Sequence, residues 1–477
     1  MAGTSTSNTP FIVLVLGMAI SLVVWLSLES WLVGVIRLVS PNIQEIDESG
    51  TQTRTERSLP WSILWTSLGT VAMAVSNWGG LVILAKMAST EVVGDFALTL
   101  AIATPVAAIA FFAIRPMVAT DAVNEFRFQD YLGVQLASCV VCMGILILIA
   151  VLGYFHAEVN MAVLTVGTAK LIEGTSNVFY GLMLKHNRTG RMAVSMVTKA
   201  TGGLVALSLG YHFTGSIAVM GMAVAVWWIL ILLFIDVPCM SRLLIEHEGG
   251  SIWSYRPRFH TLWKVVCVCA PAGGTTFLRM LNQNIAPYFI QVFLGRTSLG
   301  IFAASMVVSR AVRLLFVGLS QAVGPRLSQY YRKRPDAYLG LILKMLAVAL
   351  VLGVSVMTVA WLLGRFILTV VFQPEFADSH GVLVLLLLAA TVTLQYNIIR
   401  IAMIAARYLV ALIAQVLATT VVTGISCWLL VPQYGLVGAA WALVISAVFE
   451  LVLAAFLLIR KFRSEQCKIQ ISMPVGS

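Results

Sequence analysis

Long apolar stretches separated by short polar turns run along almost the whole chain, and this pattern predicts membrane-spanning helices. A helix needs about 20 apolar residues to cross a hydrocarbon layer of about 30 Å. Thirteen stretches of about this length are present, at residues 11–33, 62–86, 96–118, 131–153, 160–184, 192–211, 214–236, 262–290, 298–322, 339–363, 381–404, 408–430 and 435–459. Because they have helix length rather than the ten-residue alternation of an outer-membrane barrel, the predicted fold is an all-α integral membrane protein.

The second half of this pattern repeats the first. Residues 83–97 align with residues 289–303, about 206 residues later, and both copies contain a Gly-x-Phe-Ala turn, at Gly94–Ala97 and Gly300–Ala303. Six predicted spans belong to each copy. Such a duplication predicts two six-helix lobes and is expected of transporters that rock one half against the other.

The repeat and the polar connections divide the chain into six segments. These are residues 1–40 (an extra N-terminal transmembrane or interfacial helix), 41–60 (a cytoplasmic linker), 61–237 (the N-lobe), 238–260 (a cytoplasmic inter-lobe loop), 261–460 (the C-lobe) and 461–477 (a cytoplasmic tail). The first apolar stretch has no basic residue before it, whereas a cleaved secretory signal begins with a positive stretch. We therefore expect residues 11–33 to be a retained thirteenth helix.

The composition excludes a soluble domain, because 60% of the residues are hydrophobic and only 11% are charged, whereas soluble domains are about 45 to 50% apolar. The net charge of +11 would suggest nucleic acid as a partner of a soluble protein. Here, Lys and Arg concentrate in alternate turns, at residues 185–191, 242–264, 326–334 and 460–468. By the positive-inside rule these turns and the C-terminus are cytoplasmic, the N-terminus of the extra helix is periplasmic, and no nucleic-acid partner is expected.

The predicted turns also argue against an enzyme. A membrane glycan polymerase or transferase would usually carry a large extracytoplasmic loop for its sugar substrates, and none of the outward turns exceeds a short connection. The sequence contains no Gly-rich phosphate-binding loop followed by Lys, and its six His residues lack metal-ligand spacing. We therefore expect no catalysis, no cofactor and no metal.

Positive side chains inside the second-half spans are the main candidate site residues. A charge at bilayer depth costs about 2.5 to 3.5 kcal/mol or more, so each one needs an explanation. Arg279 lies near the middle of its span and shares a helix face with Asn282 and Gln283, and in the next span Arg310 and Arg313 share a face. Since no acidic residue in these two spans neutralises them, the sequence predicts water or an anionic ligand beside them.

The first half contains a sparser version of this pattern. Asn77 aligns with Gln283, Met73 occupies the position equivalent to Arg279, and Lys199 lies in the sixth span. We expect Lys199 to add to the positive field of the site.

Three further charged residues leave two interpretations open. Lys170 and Glu173 share one helix face, so they form either an internal ion pair that fixes packing or part of an ion-coupling site. Glu450 in the last span is the other candidate coupling carboxylate.

Five other basic residues near span ends are expected to extend to the membrane surface, since long cationic side chains do so readily. They are Lys86, Arg115, Arg296, Arg365 and Arg400.

Paired arginines favour a phosphate or pyrophosphate ligand, because a guanidinium donates two hydrogen bonds to one phosphate group. A lipid diphosphate headgroup fits, and a cavity for drug cations would instead need unpaired carboxylates, of which the spans have few. Helix breaks would supply mobility: Pro271 with Gly273 and Gly274 is predicted to interrupt the first helix of the second half, and Pro287 to end it.

The repeated Gly-x-Phe-Ala turns, the polar Asn282–Asn284 segment and the basic turn 185–191 resemble the polysaccharide exporters of the multidrug/oligosaccharidyl-lipid/polysaccharide (MOP) flippase superfamily over residues 61–460. The resemblance implies two lobes that alternate between inward-open and outward-open forms. It also implies transport of a polyprenyl-pyrophosphate-linked oligosaccharide across the bacterial inner membrane, for exopolysaccharide, capsule or O-antigen assembly, with a polymerase and other glycan-assembly proteins as partners. The extra helix departs from the usual pattern of the family.

Two other functions fit the sequence. One is an ion-coupled multidrug exporter of the same fold, with Glu173 or Glu450 as the coupling carboxylate. The other is a non-transporting membrane scaffold of a glycan-assembly complex, docked through residues 11–33.

Overall fold

The computed structural model describes residues 58–121, 125–153, 155–248, 259–333, 335–406 and 408–472. The predicted extra helix at 11–33, most of the linker at 41–60 and the last five residues lie outside these ranges. Within them the chain consists of helices and short turns without a β-strand, which confirms the predicted all-α class.

The described part of the chain forms twelve α-helices, one π-helix and one 3-10 helix. They are α1 (Ser58–Met87), α2 (Thr90–Phe111), α3 (Ile114–Thr120), α4 (Phe128–Val151), α5 (Ala157–Lys185), α6 (Thr189–Thr214), α7 (Ile217–Ile231), the π-helix (Leu232–Asp236), α8 (Val237–Glu248), α9 (Phe259–Lys333), α10 (Pro335–Val371), the 3-10 helix (Pro374–Ser379), α11 (His380–Ala405) and α12 (Leu409–Ser472).

Nine stretches of the described residues are long and apolar enough to cross a membrane, so this is a multi-pass membrane protein. Two of them, Phe259–Val312 in α9 and Ala411–Phe462 in α12, have 54 and 52 residues and can each cross twice. The backbone turns back at Gly295 (φ 82°) and Gly435 (φ 59°), in the left-handed region that glycine tolerates best. With α5, which has 29 residues, these helices fit the predicted twelve-helix core.

Proline does not break α9 where the sequence predicted. The helix continues through Pro271 and Pro287, and non-helical backbone angles occur only at Gly295. The predicted interruption and the predicted helix end are therefore wrong. Membrane helices tolerate proline because neighbouring helices and local backbone adjustments satisfy the freed carbonyl groups.

One apolar core joins the two halves at one end of the bundle, which we call the closed end. This shared core contains buried residues of both halves, including Leu84, Phe96, Leu299, Phe302 and Phe372. Polar contacts cross between the halves near it: Lys86 Nζ donates to the Val370 carbonyl oxygen at 2.7 Å, and the Tyr288 hydroxyl donates to the Ala101 carbonyl oxygen.

At the opposite end, which we call the split end, each half has its own core. The N-half core includes Met73, Tyr180, Met196, Met240, Val265 and Cys269. The C-half core includes Tyr338, Met345, Leu394, Tyr396, Leu412 and Ala454. The two halves are therefore packed together at the closed end and packed separately at the split end.

Helix α9 passes from one half to the other. Val265 and Cys269 pack into the N-half core, and a Cβ added at Gly273 would lie 3.1 Å from the Phe112 Cα. Six residues later, Arg279 contacts Tyr396 in the C-half core. The boundary predicted at residue 261 stays a prediction, and the first turns of the predicted C-lobe pack against the N-half.

Candidate functional site

A cavity of about 240 Å³ lies in the N-half at the split end, between α1, α3, α5 and α6. Its lining residues are Thr70, Met73, Arg115, Glu173, Ser176, Asn177, Tyr180, Met196 and Lys199. It is smaller than the pockets of about 300 to 1,000 Å³ that hold drug-sized ligands, so it fits a smaller chemical group.

A fully buried ion pair forms one side of this cavity. The Lys199 ammonium contacts the Asp236 carboxylate, and these side chains are 1% and 0% exposed. Lys199 Nζ also donates to Ser176 Oγ at 2.5 Å and to the Tyr180 hydroxyl at 3.2 Å, while Ser195 Oγ donates to Asp236 Oδ1 at 2.5 Å. An ammonium group has three N–H donors, and these three partners use all of them. Lys199 was expected to add to the positive field of the site, and its pairing with Asp236 contradicts that expectation.

A second ion pair lies beside the first. Lys170 Nζ is 2.8 Å from Glu173 Oε2, and it also donates to Asn77 Oδ1 at 2.7 Å. Of the two interpretations left open by the sequence, the ion pair is observed. Glu173 Oε1 accepts no hydrogen bond among the described residues, and Glu173 lines the cavity.

Arg115 does not extend to the membrane surface, and that expectation is wrong. It lines the cavity, with its guanidinium 5.7 Å from the centre of the Tyr180 ring. Arg115 Nη1 donates to Asn177 Oδ1 at 3.4 Å and Nη2 to Met192 Sδ at 3.6 Å, and both contacts are long. Within the described residues no carboxylate lies within 4 Å of it, so most of its five N–H donors are available to a ligand.

A second cluster of charges lies in the C-half. Arg279 Nη2 donates to the Tyr396 hydroxyl at 2.6 Å, and its guanidinium is 5.6 Å from the centre of the Tyr396 ring. Glu450 and Arg400 lie close enough to this pair to interact with it electrostatically, although among the described residues no ion pair within 4 Å joins Glu450 to either arginine. The expectation that Arg400 extends to the membrane surface is wrong, because its Nε is buried and makes no hydrogen bond in the described part of the chain.

This arrangement changes the interpretation of Arg279. Its own helix supplies no acid, as predicted, but Glu450 on α12 lies within electrostatic range of it. Two guanidinium groups, those of Arg279 and Arg400, share this one carboxylate, so the cluster keeps an excess of positive charge. Arg279 is therefore only partly neutralised.

The other predicted residues lie on the two parts of α9. Asn282, Gln283 and Arg310 are partly buried, and Asn282 Oδ1 has no hydrogen-bond partner among the described atoms. The side chain of Arg313 is outside the part of the chain that the structure describes. A common site for Arg279 and Arg310 stays a prediction.

Sequence reasoning missed four residues of these clusters. Tyr396 and Arg400 are four residues apart on α11, a spacing that places them on one helix face and could have identified the cluster. Arg115 and Asp236 gave weaker signals, since each lies near the end of an apolar stretch. Asp236 ends the π-helix, an element that occurs often at functional sites.

The described residues form two helical halves with a common core at one end, separate cores at the other and a cluster of charged residues in each half, and solved membrane transporters share this fold. The lipid II flippase MurJ, in an inward closed conformation, shares this fold with a TM-score of 0.67 and 13% identity, covering 83% of this chain and 87% of that chain. A multidrug resistance MATE family transporter of the MOP superfamily, in an inward-facing conformation, has a TM-score of 0.63 and 11% identity, covering 81% of this chain and 95% of that chain. A multidrug resistance MATE family transporter of the MOP superfamily in an outward-facing conformation has a TM-score of 0.56 and 13% identity, covering 87% of this chain and 97% of that chain. The resemblance to the MOP superfamily is thus confirmed at the level of the fold.

A sequence relative adds a link to polysaccharides. The chain is 22% identical over 385 residues to the capsular polysaccharide biosynthesis protein CapF of Staphylococcus aureus, covering 78% of this chain and 92% of the relative. No family model matches the chain.

Proposed function

We propose that this protein moves a polyprenyl-pyrophosphate-linked oligosaccharide across the bacterial inner membrane by alternating access, for exopolysaccharide, capsule or O-antigen assembly. The transporter fold supports the movement, and the similarity to CapF supports a polysaccharide precursor as the cargo.

The observation that carries this proposal is the pair of arginines in the C-half, Arg279 and Arg400, with one nearby carboxylate, that of Glu450. Arg279 uses one N–H on Tyr396, and Arg400 Nε makes no hydrogen bond among the described residues. The cluster therefore offers many donors and few acceptors, and a diphosphate, which carries acceptors only, complements it. Arg310 and Arg313, on the second part of α9, would extend the same positive field.

The packing of the two halves supports entry of the lipid-linked precursor from one side of the membrane. The split end carries the basic turns, so the positive-inside rule assigns it to the cytoplasm. The conformation is then closed toward the periplasm and separated toward the cytoplasm, where the lipid-linked precursor would be made. Helix α9 crosses between the halves there, so a ligand bound to Arg279 contacts a helix that packs against both halves.

Reconstituted protein tests the proposal. Proteoliposomes would contain a polyprenyl-pyrophosphate oligosaccharide with a fluorescent sugar, and a membrane-impermeant quencher would measure its transfer between leaflets. We expect Arg279→Ala and Arg310→Ala to lose transfer while the folded protein remains in the membrane. Arg279→Lys should be partly active, since an ammonium cannot make the bidentate contact.

Arg365→Ala is the matched control, because Arg365 is exposed on α10 and outside both clusters. Unimpaired transfer by the Arg279→Ala/Arg310→Ala double variant would remove both residues from the site. Export of a drug cation without transfer of the lipid would favour the multidrug exporter. A truncation that removes residues 1–50 and loses a protein partner without losing substrate binding would favour a docking role for that segment.

A further inference from the structure

The N-half cavity differs in chemistry from the C-half cluster. The groups on its wall that keep hydrogen-bonding capacity in the described structure include the Arg115 guanidinium, the Asn177 amide nitrogen and Glu173 Oε1. Lys199 lines the same cavity, but its three donors are already used. The cavity therefore presents donors and one anionic acceptor side by side.

This mixture does not suit a diphosphate. A diphosphate carries acceptors only and several negative charges, so it would satisfy Arg115 but would offer no donor to Glu173 and would repel that carboxylate more strongly than a single sugar carboxylate does. A sugar ring with a carboxylate has both kinds of group: the carboxylate accepts from a guanidinium, and its hydroxyls donate to Glu173 and accept from Asn177.

We propose that the N-half cavity binds one acidic sugar unit of the cargo, with the sugar carboxylate on Arg115 and its hydroxyls on Asn177 and Glu173. This inference rests on the proposed function, since it assigns a second subsite to the same lipid-linked oligosaccharide. The C-half cluster holds the diphosphate, and the N-half cavity selects the sugar.

The size and burial of the cavity agree with a single sugar ring. Its volume of about 240 Å³ is too small for an oligosaccharide. Met73 and Met196 supply apolar wall beside the polar groups, and methionine side chains adapt readily to irregular ligands. A neutral sugar would leave Arg115 without an anionic partner in a buried site, so the cavity discriminates against it.

Binding of monosaccharides to the full-length protein in detergent tests the assignment directly. Saturation-transfer NMR detects weak ligands, and the probes are glucuronate, glucose and inorganic pyrophosphate. We expect glucuronate to bind about tenfold or more tightly than glucose, because a hydrogen bond to a charged group is stronger than one to a neutral group. Pyrophosphate, bound at the C-half cluster, should not displace glucuronate.

Two variants separate the role of Arg115 from its contribution to folding. Asn177→Asp keeps Arg115 but places a carboxylate where Oδ1 is already 3.4 Å from Nη1, so the guanidinium pairs internally. Arg115→Lys keeps the charge but loses the two-pronged contact. Both should weaken glucuronate binding about tenfold or more, whereas Arg365→Gln, on an exposed part of α10, should bind as the wild type does.

Glu173→Gln tests why phosphate is excluded. Without the carboxylate, pyrophosphate should begin to compete with glucuronate at Arg115, and the wild-type protein should show no such competition.

Each alternative result overturns the assignment. Equal binding of glucose and glucuronate removes the carboxylate contact, and displacement of glucuronate by pyrophosphate in the wild type makes the cavity a phosphate site. Failure of both sugars to bind removes the subsite. None of these results bears on lipid transfer, because a flippase without this subsite would still move a precursor made of neutral sugars. Conversely, absence of lipid transfer together with Arg115-dependent glucuronate binding would reject the proposed function and leave the sugar site.

Discussion

Gly94 and Gly300 face each other where the two halves meet at the closed end. A Cβ added to Gly94 would lie 2.0 Å from the Arg296 carbonyl oxygen, and one added to Gly300 would lie 2.1 Å from the Thr90 carbonyl oxygen. Both pairs, Gly94 with Gly300 and Thr90 with Arg296, are about 206 residues apart in the sequence. The contact is therefore reciprocal between equivalent positions of the repeat.

This reciprocal contact explains why the repeat is clearest in this part of the sequence. Two helix starts approach so closely that neither has room for a side chain, which is the usual reason for small residues between membrane helices. The Asp95 carboxylate and the Arg296 guanidinium, 3.3 Å apart, add a polar contact beside it. Any opening of the structure at this end must separate these backbones.

Gly94→Ala and Gly300→Ala should each weaken the closed end. The new methyl group would overlap a backbone carbonyl, which cannot move aside as a flexible side chain can, and overpacking costs about 1 to 3 kcal/mol. We expect a lower melting temperature of the purified protein, measured in detergent by intrinsic fluorescence. The lowered stability should be accompanied by increased labelling of shared-core residues by water-soluble reagents.

Gly274→Ala provides the control. Gly274 is also inside a helix, but no atom lies within 4 Å of an added Cβ, so alanine should be neutral or slightly stabilising. If Gly94→Ala and Gly300→Ala melt at the same temperature as Gly274→Ala, the close approach of the two helix starts is not present in the protein.

Cross-linking the closed end should stop transport reversibly. Asp95→Cys and Arg296→Cys, introduced together after replacement of the seven native cysteines, would be joined by a short cleavable thiol cross-linker. Under the proposed alternating access the halves must part at this end, so we expect lipid transfer to cease on cross-linking and to return after cleavage. Each single cysteine variant, treated with the same reagent, should stay active. Full transfer by the cross-linked protein would contradict a moving closed end.

The Lys199 and Asp236 pair should contribute to stability as a unit. Asp236→Asn leaves a buried ammonium without its counter-charge, and such a change costs about 3 to 5 kcal/mol. The double variant Lys199→Met/Asp236→Leu removes both charges and should be more stable than Asp236→Asn alone, as measured by thermal unfolding in detergent. Additive losses in the single and double variants would show that the two side chains are not coupled.

The sequence predicted the helices well because membrane spans are set by length and hydropathy, which are local properties. The two connections inside α9 and α12 are so tight that the helix continues almost to Gly295 and Gly435, and the apolar pattern located both correctly. It predicted breaks wrongly at Pro271 and Pro287, because whether a proline interrupts a membrane helix depends on the neighbours that satisfy the backbone.

The candidate site was less predictable, because partners from distant helices decide the state of each charge. Arg279 had no acid on its own helix, and Glu450 lies 171 residues further along the chain. Lys199 was expected to add to the positive field of the site, and its partner Asp236 belongs to a different helix. Arg115 was assigned to the membrane surface because it lies near a span end, but in the structure its side chain lines a cavity.

Glu450→Gln should strengthen anion binding in the C-half. It removes the one carboxylate that Arg279 and Arg400 share, so the cluster gains one unit of net positive charge. At an effective dielectric constant of about 20, this change corresponds to a gain of roughly tenfold or more in affinity for pyrophosphate. Titration calorimetry with inorganic pyrophosphate measures it, and the ligand should also raise the melting temperature of the variant more than that of the wild type.

Glu375→Gln is the matched control, since Glu375 is exposed in the 3-10 helix at the closed end. The same substitution separates the two transport hypotheses. If Glu450 were the coupling carboxylate of a drug exporter, Glu450→Gln would abolish ion-driven drug efflux and leave pyrophosphate binding unchanged. Tighter pyrophosphate binding with slower release of the lipid-linked precursor would instead show that Glu450 lowers the affinity of Arg279 and Arg400 for the diphosphate.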